Sequence, residues 1–262
     1  MVPDRMKPKK NDVGEAAVRR RPGRPPSAQN NGISGETIIR TAYRLARHVP
    51  LQDLSIVLVA KEMEITPALI HYYVGGRDWL TSGVMNLFYR QLLRRWPEET
   101  GHWDTDIFNA AKAIYDHLVR YAGVASYVVM NNRFRIFQLT AGEQEDFGIQ
   151  MLEKFTSRVR GAGVSAERTG VYAHIMMEFI VSSAHGAVSH RYPGEHREFL
   201  EEKTANLDPE RFPAIAFTRT SQVSLNAYDA FLEGCSLLLL GLQRDRTRFP
   251  VETEPTKGTL GR

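Results

Sequence analysis

The chain has 262 residues, 42% hydrophobic and 24% charged, enough apolar material for a sizeable core in one or two domains and too much for a wholly disordered polymer. Its single cysteine, Cys235, excludes an internal disulfide and fits a reducing cytoplasm; no apolar run reaches the roughly 18–20 residues of a membrane span, and the basic N-terminus lacks the apolar stretch of a signal peptide. The net charge of +4 is uneven: residues 1–30 hold 8 of the 34 Lys/Arg but only 3 of the 30 Asp/Glu, so the excess positive charge sits where a polyanion would be gripped, or where a solubilising tail would simply be hydrated.

Residues 1–32 are rich in Pro, Lys, Arg, Asn and Gly and nearly free of large apolar side chains, so they read as a disordered basic arm. Order is expected from Ser34, an N-cap, with Glu36 in the first turn and Ile38, Ala42 and Leu45 at helical spacing; Pro50 lies just past this helix. Ser55 caps a second helix, with Val57, Leu58 and Met63 as its buried candidates. Thr66 caps a third, where Pro67 at the first helical position has the right φ and lacks a donor the helix cannot use. Gly75-Gly76 ends it. A fourth helix is predicted from about Arg77 to Trp96, with Leu80, Val84, Leu87 and Phe88 on one stripe and Pro97 as its stop. Further helices are predicted near 104–121, 124–137, 142–161, 166–191, 195–204 and 219–242, with loops at Gly161-Ala-Gly163 and from Leu207 to Pro213. Sustained period-2 alternation is missing, so the fold class is all-α. Residues 244–262 return to charge, Pro, Thr and Gly and read as a flexible tail.

The most informative stretch is Thr66-Pro-Ala-Leu-Ile-His-Tyr-Tyr73, preceded by Ser55-Ile-Val-Leu-Val-Ala-Lys-Glu-Met-Glu-Ile65. Two short helices joined by a tight turn make a helix-turn-helix, and the second shows a histidine and two tyrosines where a core helix would show aliphatics. Adjacent tyrosines cannot both face one core, so at least one of Tyr72 and Tyr73 should be exposed. The alternative is that both are ordinary packing aromatics.

A basic arm, a first helix, a compact helix-turn-helix and a longer fourth helix ahead of a helical remainder resemble the TetR family of transcriptional regulators. The resemblance is carried by Leu54 to Leu80 and covers roughly residues 33–85. Several positions depart from the family pattern. Glu64 stands where the family usually has a turn glycine, which forces a less comfortable backbone. His71 and Tyr73 stand at positions usually held by tyrosine and histidine, Val74 replaces a phenylalanine, Gly75-Gly76 replaces a more polar turn, and Arg77 stands for a phosphate-reaching lysine. The resemblance implies a basic arm (1–32), a helix-turn-helix DNA-binding domain (33–80), a helical effector-binding and dimerisation domain (81–243) and a tail (244–262). It further implies a homodimer on a double-stranded DNA operator, a small-molecule effector, and a repressor mechanism in which the effector shifts the two reading heads out of the spacing needed for successive major grooves.

Residue by residue, Thr66, Leu69, Tyr72 and Tyr73 are candidates for base edges, and Ala68 beside Pro67 is small enough to let the backbone approach. His71, Tyr72 and Arg77 are candidates for phosphates, together with the helix N-terminus. The helix-turn-helix itself is not basic, so attraction must come from Arg40, Arg44 and Arg47 and from the arm. There Arg21 and Arg24, in Arg21-Pro-Gly-Arg-Pro25, resemble the proline-flanked arginines that lie in A·T-rich minor grooves.

For dimerisation, the helices near 166–191 and 219–242 are the candidates. On the former, Tyr172, Met176, Phe179, Ser183 and Ala187 share a side that is either a dimer face or an internal core face. Opposite lie His174, Glu178 and His185, within about 40° of one another at about 100° per residue. They read as a polar stripe, as a wall of an effector cavity or as a metal site. Arg133, Phe134, Phe137, Met151, Phe155 and Met177 are candidates for the rest of an apolar pocket. No nucleophile elbow, phosphate loop or dinucleotide fingerprint points to an enzyme, so no catalytic residue, cofactor or metal is expected. The rival readings are a helical metalloenzyme built on His174, Glu178 and His185, and a non-allosteric architectural DNA binder driven by the arm.

Overall fold

The computed structural model describes residues 32–130, 138 and 144–248, and those from Ser34 onward belong to one compact unit. Arg21, Arg24, Arg133, Phe134 and Phe137, with most of the expected arm and tail, fall outside the described residues. Those described form eleven α-helices and one 3₁₀ turn and no strand, as the sequence pattern requires.

The N-terminal helices are α1 (Gly35–Leu45), α2 (Ile56–Glu62), α3 (Pro67–Val74) and α4 (Arg77–Leu93). Ser34 caps α1 through a reciprocal box: its Oγ accepts from the Thr37 amide at 3.1 Å and Thr37 Oγ1 accepts from the Ser34 amide at 2.9 Å. This satisfies two donors the helix cannot. Glu36 instead pairs with Arg40 at 2.7 Å. Ser55 Oγ accepts from the Leu58 amide at 3.1 Å, whereas Thr66 occupies the N-cap position of α3 without a side-chain bond. The expected core of α2 is corrected. Val57 is 65% exposed and Leu58 and Met63 are half-buried, while Val59 and Ala60 carry the burial. In a seven-residue helix of which five residues are aliphatic, apolar spacing alone does not select the buried arc, which here is the adjacent pair Val59 and Ala60.

The larger part comprises α5 (Trp103–Arg120), α6 (Ala122–Met130), α7 (Phe147–Arg160), α8 (Ala166–Val188), a 3₁₀ turn at Pro193–His196, α9 (Arg197–Thr204), α10 (Pro213–Gln222) and α11 (Ala227–Arg248). Helix α8 packs against α5, α6, α7 and α11. Its Met176, Ile180 and Ala184 are fully buried, as are Phe155 and Phe231. Tyr115 stacks on Phe231 with ring centroids 4.0 Å apart.

The single helix expected near 219–242 is two helices, bent by 111° across residues 223–226. Pro213 opens α10 at its first turn, and Asn226 restarts the chain by accepting from the Asp229 amide at 2.9 Å. None of the residues of α10 is buried, and Phe217 is 90% exposed. Among the described residues no single helix is long and apolar enough to cross a membrane.

Candidate nucleic-acid interface and its seam

Helix α3 is held by one face and presents the other. Ile70 is fully buried, a burial worth roughly 1.5–3 kcal/mol. The carbonyl of Tyr73 abuts Gly35, where an added Cβ would lie 3.2 Å from it. On the open side Thr66, Pro67, Ala68 and His71 are exposed and Tyr72 is 70% exposed, while Leu69 and Tyr73 are half-buried. The two tyrosine rings meet edge to face at 5.0 Å, so Tyr73 braces Tyr72 as it projects. The turn into α3 passes through Glu64 at φ 54°, the left-handed conformation expected where the family usually has glycine. The Gly75 φ of 92° ends α3.

The cations are partly engaged. Arg77 is exposed and donates to the Gln52 carbonyl, tying the loop before α2 to the start of α4. Arg44 lies 3.4 Å from Glu62, with both side chains largely exposed, and Arg47 sits 5.6 Å over the Tyr121 ring.

A seam that sequence spacing does not reveal joins this region to the rest. The Gly123 amide donates to the Ala46 carbonyl and the Leu51 amide to the Gly123 carbonyl, each at 3.1 Å. A Cβ on Gly123 would fall 1.9 Å from the Val49 carbonyl oxygen, so only glycine admits this contact. Beside it, His117 of α5 is buried, with Nε2 3.1 Å from the Phe88 carbonyl of α4 and 3.5 Å from the Tyr43 hydroxyl of α1. Because a carbonyl only accepts, Nε2 carries the proton. Burial, reinforced by the charges of Arg95 and Arg120, holds His117 down at about 4, against the pull of the Phe88 bond. The ring is therefore neutral near pH 7. Burial also raises the Tyr43 hydroxyl, and Tyr43 and Tyr121 stack at 4.3 Å. The one sequence sign of the seam is Gly123 itself, in the small-residue run between Tyr121 and Ser126.

The candidates on α8 need correction. His174 and Glu178 are exposed and His185 is half-buried with an unpartnered Nδ1. Burial, then Arg191, lowers the His185 pKa. Neither His174 nor Glu178 walls an interior cavity, and among the described residues no three His, Cys, Asp or Glu side chains could share a metal ion. Conversely Tyr172, Met176 and Ser183 are buried inside the chain, so that side is an internal core face. Met151 and Phe155 are also core, and Met177 is half-buried. The face left open on α8 is Val171, Ile175, Glu178 and Ser182; on α11 it is Glu233, Leu237, Leu240 and Arg244. Both sets repeat at i, i+4, i+7 and i+11, the spacing of a helical seam.

A compact helix-turn-helix packed on a larger helical unit, with its second helix open to solvent, is the build of a DNA-binding transcriptional regulator. A family model described as "Tetracyclin repressor-like, C-terminal domain" matches residues 97–246, and the chain belongs to this TetR family. Solved structures with the same fold include apo ActR from Streptomyces coelicolor (19% identity, 82% of this chain and 97% of that one, TM-score 0.68). They also include the TetR regulator SCO7222 from the same organism (16%, 81% and 99%, TM-score 0.64). ActR in complex with actinorhodin is similarly related (19%, 81% and 96%, TM-score 0.67). No curated protein sequence matches the chain.

Proposed function

We propose that the protein is a homodimeric repressor that reads a two-fold operator with paired α3 helices and is released by a small-molecule effector bound in its helical body. The observation that carries this reading is the outward face of α3, where Thr66, Pro67, Ala68, His71 and Tyr72 are exposed on a helix pinned by Ile70. Such a surface has no role in the protein's own core. A narrow N-terminal tip at Pro67-Ala68 suits entry into a major groove. Thr66, Leu69, Tyr72 and Tyr73 then face base edges, while His71 and Arg77 face phosphates. Arg77 serves both its internal bond and a phosphate, since the guanidinium has five donors. Arg44 reaches a phosphate by leaving an exposed pair with Glu62, which costs little. The basic arm, with Arg21 and Arg24, lies in the adjoining minor groove.

One reading helix spans too few base pairs for specificity, so two copies must act together. The open stripes on α8 and α11 supply the pairing surface: Val171 and Ile175 are 38% and 44% exposed, and Leu237 and Leu240 are 68% and 65% exposed. Two helices from each copy would bury these aliphatics in a four-helix contact. His174 and Glu178 then sit at that contact rather than around an effector.

The effector reading is supported by ActR, of the same fold, which was solved with actinorhodin. Transmission is supported by the seam, since α6 packs on α5 and α8 and its Gly123 is bonded to both Ala46 and Leu51. A ligand that favours one position of α6 drags the end of α1 with it, and release follows only if the two positions bind the ligand unequally. The proposal is tested by selecting binding sites from random duplex DNA. An enriched two-fold sequence with half-sites about one helical turn apart supports it; equal retention of all sequences would leave only an architectural binder.

A further inference from the structure

Between the C-terminal parts of α4 and α5 lies a cleft of about 240 Å³, lined by Leu92, Arg95, Ala113, Asp116, His117 and Arg120. Leu92 and Ala113 make part of its lining apolar. Its charge is unbalanced. Asp116, the one carboxylate in the lining, is taken by Lys112 at 2.7 Å. Arg95 and Arg120 are exposed and have no ion-pair partner among the described residues. Both guanidinium charges act on the same buried ring, His117, and Arg95 acts on Tyr43 as well. Arg95, from beyond the end of α4, and Arg120, at the end of α5, thus line the same cleft as the His117 ring. With His117 neutral, the lining sets two guanidinium charges against the single carboxylate of Asp116, which Lys112 already pairs.

We infer that this cleft is a second ligand site, in which a small organic anion is held by its carboxylate or tetrahedral oxyanion between Arg95 and Arg120, with its apolar part on Leu92 and Ala113. The planar guanidinium fork matches both head groups, and water is displaced from an apolar wall at the same time. The volume falls below the roughly 300–1,000 Å³ of drug-sized pockets, which restricts the ligand to about the size of a single ring beyond its charged group. Its location is what gives it consequence. His117 at the cleft touches the Phe88 carbonyl and the Tyr43 hydroxyl, so a bound anion lies one side chain away from α1. The site therefore differs from the effector cavity proposed for the body and acts on the seam directly. The inference does not rest on the DNA-binding reading, because its test uses no DNA.

The test uses the full chain with ¹⁵N-labelled histidine at neutral pH and two separate probes, sodium sulfate and sodium benzoate, with chloride adjusted to keep ionic strength constant. The expected result is a saturable one-site shift of the His117 ring signals with at least one probe. The affinity should weaken about tenfold or more in Arg95→Ala and in Arg120→Ala, the loss expected from removing a charge-assisted hydrogen bond. Both arginines are exposed, so these variants fold, and an unchanged thermal midpoint verifies it. A response to sulfate alone assigns a tetrahedral oxyanion and a response to benzoate alone assigns a carboxylate. Absence of a saturable shift with either probe, or the same shift in both variants, overturns the site.

Discussion

Two residues carry chemistry that can be isolated by substitution. Glu64 holds φ 54° in the turn of the helix-turn-helix and is exposed. A non-glycine residue there is strained by about 1–2 kcal/mol, and glycine removes the strain while adding unfolded-state entropy. Glu64→Gly is therefore expected to stabilise the fold by about 0.5–1 kcal/mol in a urea titration; destabilisation would show that the turn is not strained. His117 sets a pH dependence. Its folded pKa of about 4 lies below its ordinary 6.5, so the unfolded chain takes up the proton first. The neutral ring's contribution is fully present above pH 6.5 and is lost as pH falls toward 4. At about 1.36 kcal/mol per unit, the loss is on the order of 3 kcal/mol. His117→Gln keeps an N–H for the Phe88 carbonyl and should flatten stability between pH 4.5 and 7. An equal slope in wild type and variant would remove His117 from the account.

Among elements, the Gly123 junction is the most sensitive contact. An alanine Cβ would press on backbone oxygens at 1.9 Å and 2.7 Å, and backbone cannot rotate away as a side chain can. Gly123→Ala is expected to cost about 3 kcal/mol; wild-type stability in urea would mean the junction is loose. The contrast with α3 shows what sequence could and could not reveal. Its cap position, Pro67, its Gly75 stop and its projecting tyrosine follow from local rules, because a short helix with aromatics on adjacent positions must expose one of them. The faces of α8 did not follow. That helix is covered by four neighbours, and a side carrying Tyr172, Met176 and Ser183 looks the same whether its partner is the same chain or another copy. The separation of α10 from α11 is not legible either, because no residue of α10 is buried and the bend at 223–226 contains neither proline nor glycine.

For the whole molecule, the exposed stripes and the arm give separate expectations. Leu237→Glu with Leu240→Glu places charge on the pairing surface and should yield a monomer by sedimentation at micromolar concentration, with its helix content retained; a persistent dimer would move the interface elsewhere. Deleting residues 1–26 should weaken binding to a selected duplex and reduce the slope of log affinity against log salt, because each arm cation releases counterions. The central claim, that the open face of α3 reads DNA, is met most directly by an anisotropy titration of that duplex with wild type and with Tyr72→Ala. Tyr72 is 70% exposed, so its removal leaves stability within about 0.5 kcal/mol. The account predicts an affinity loss of about tenfold or more at an unchanged thermal midpoint. Equal affinity of the two proteins would contradict it.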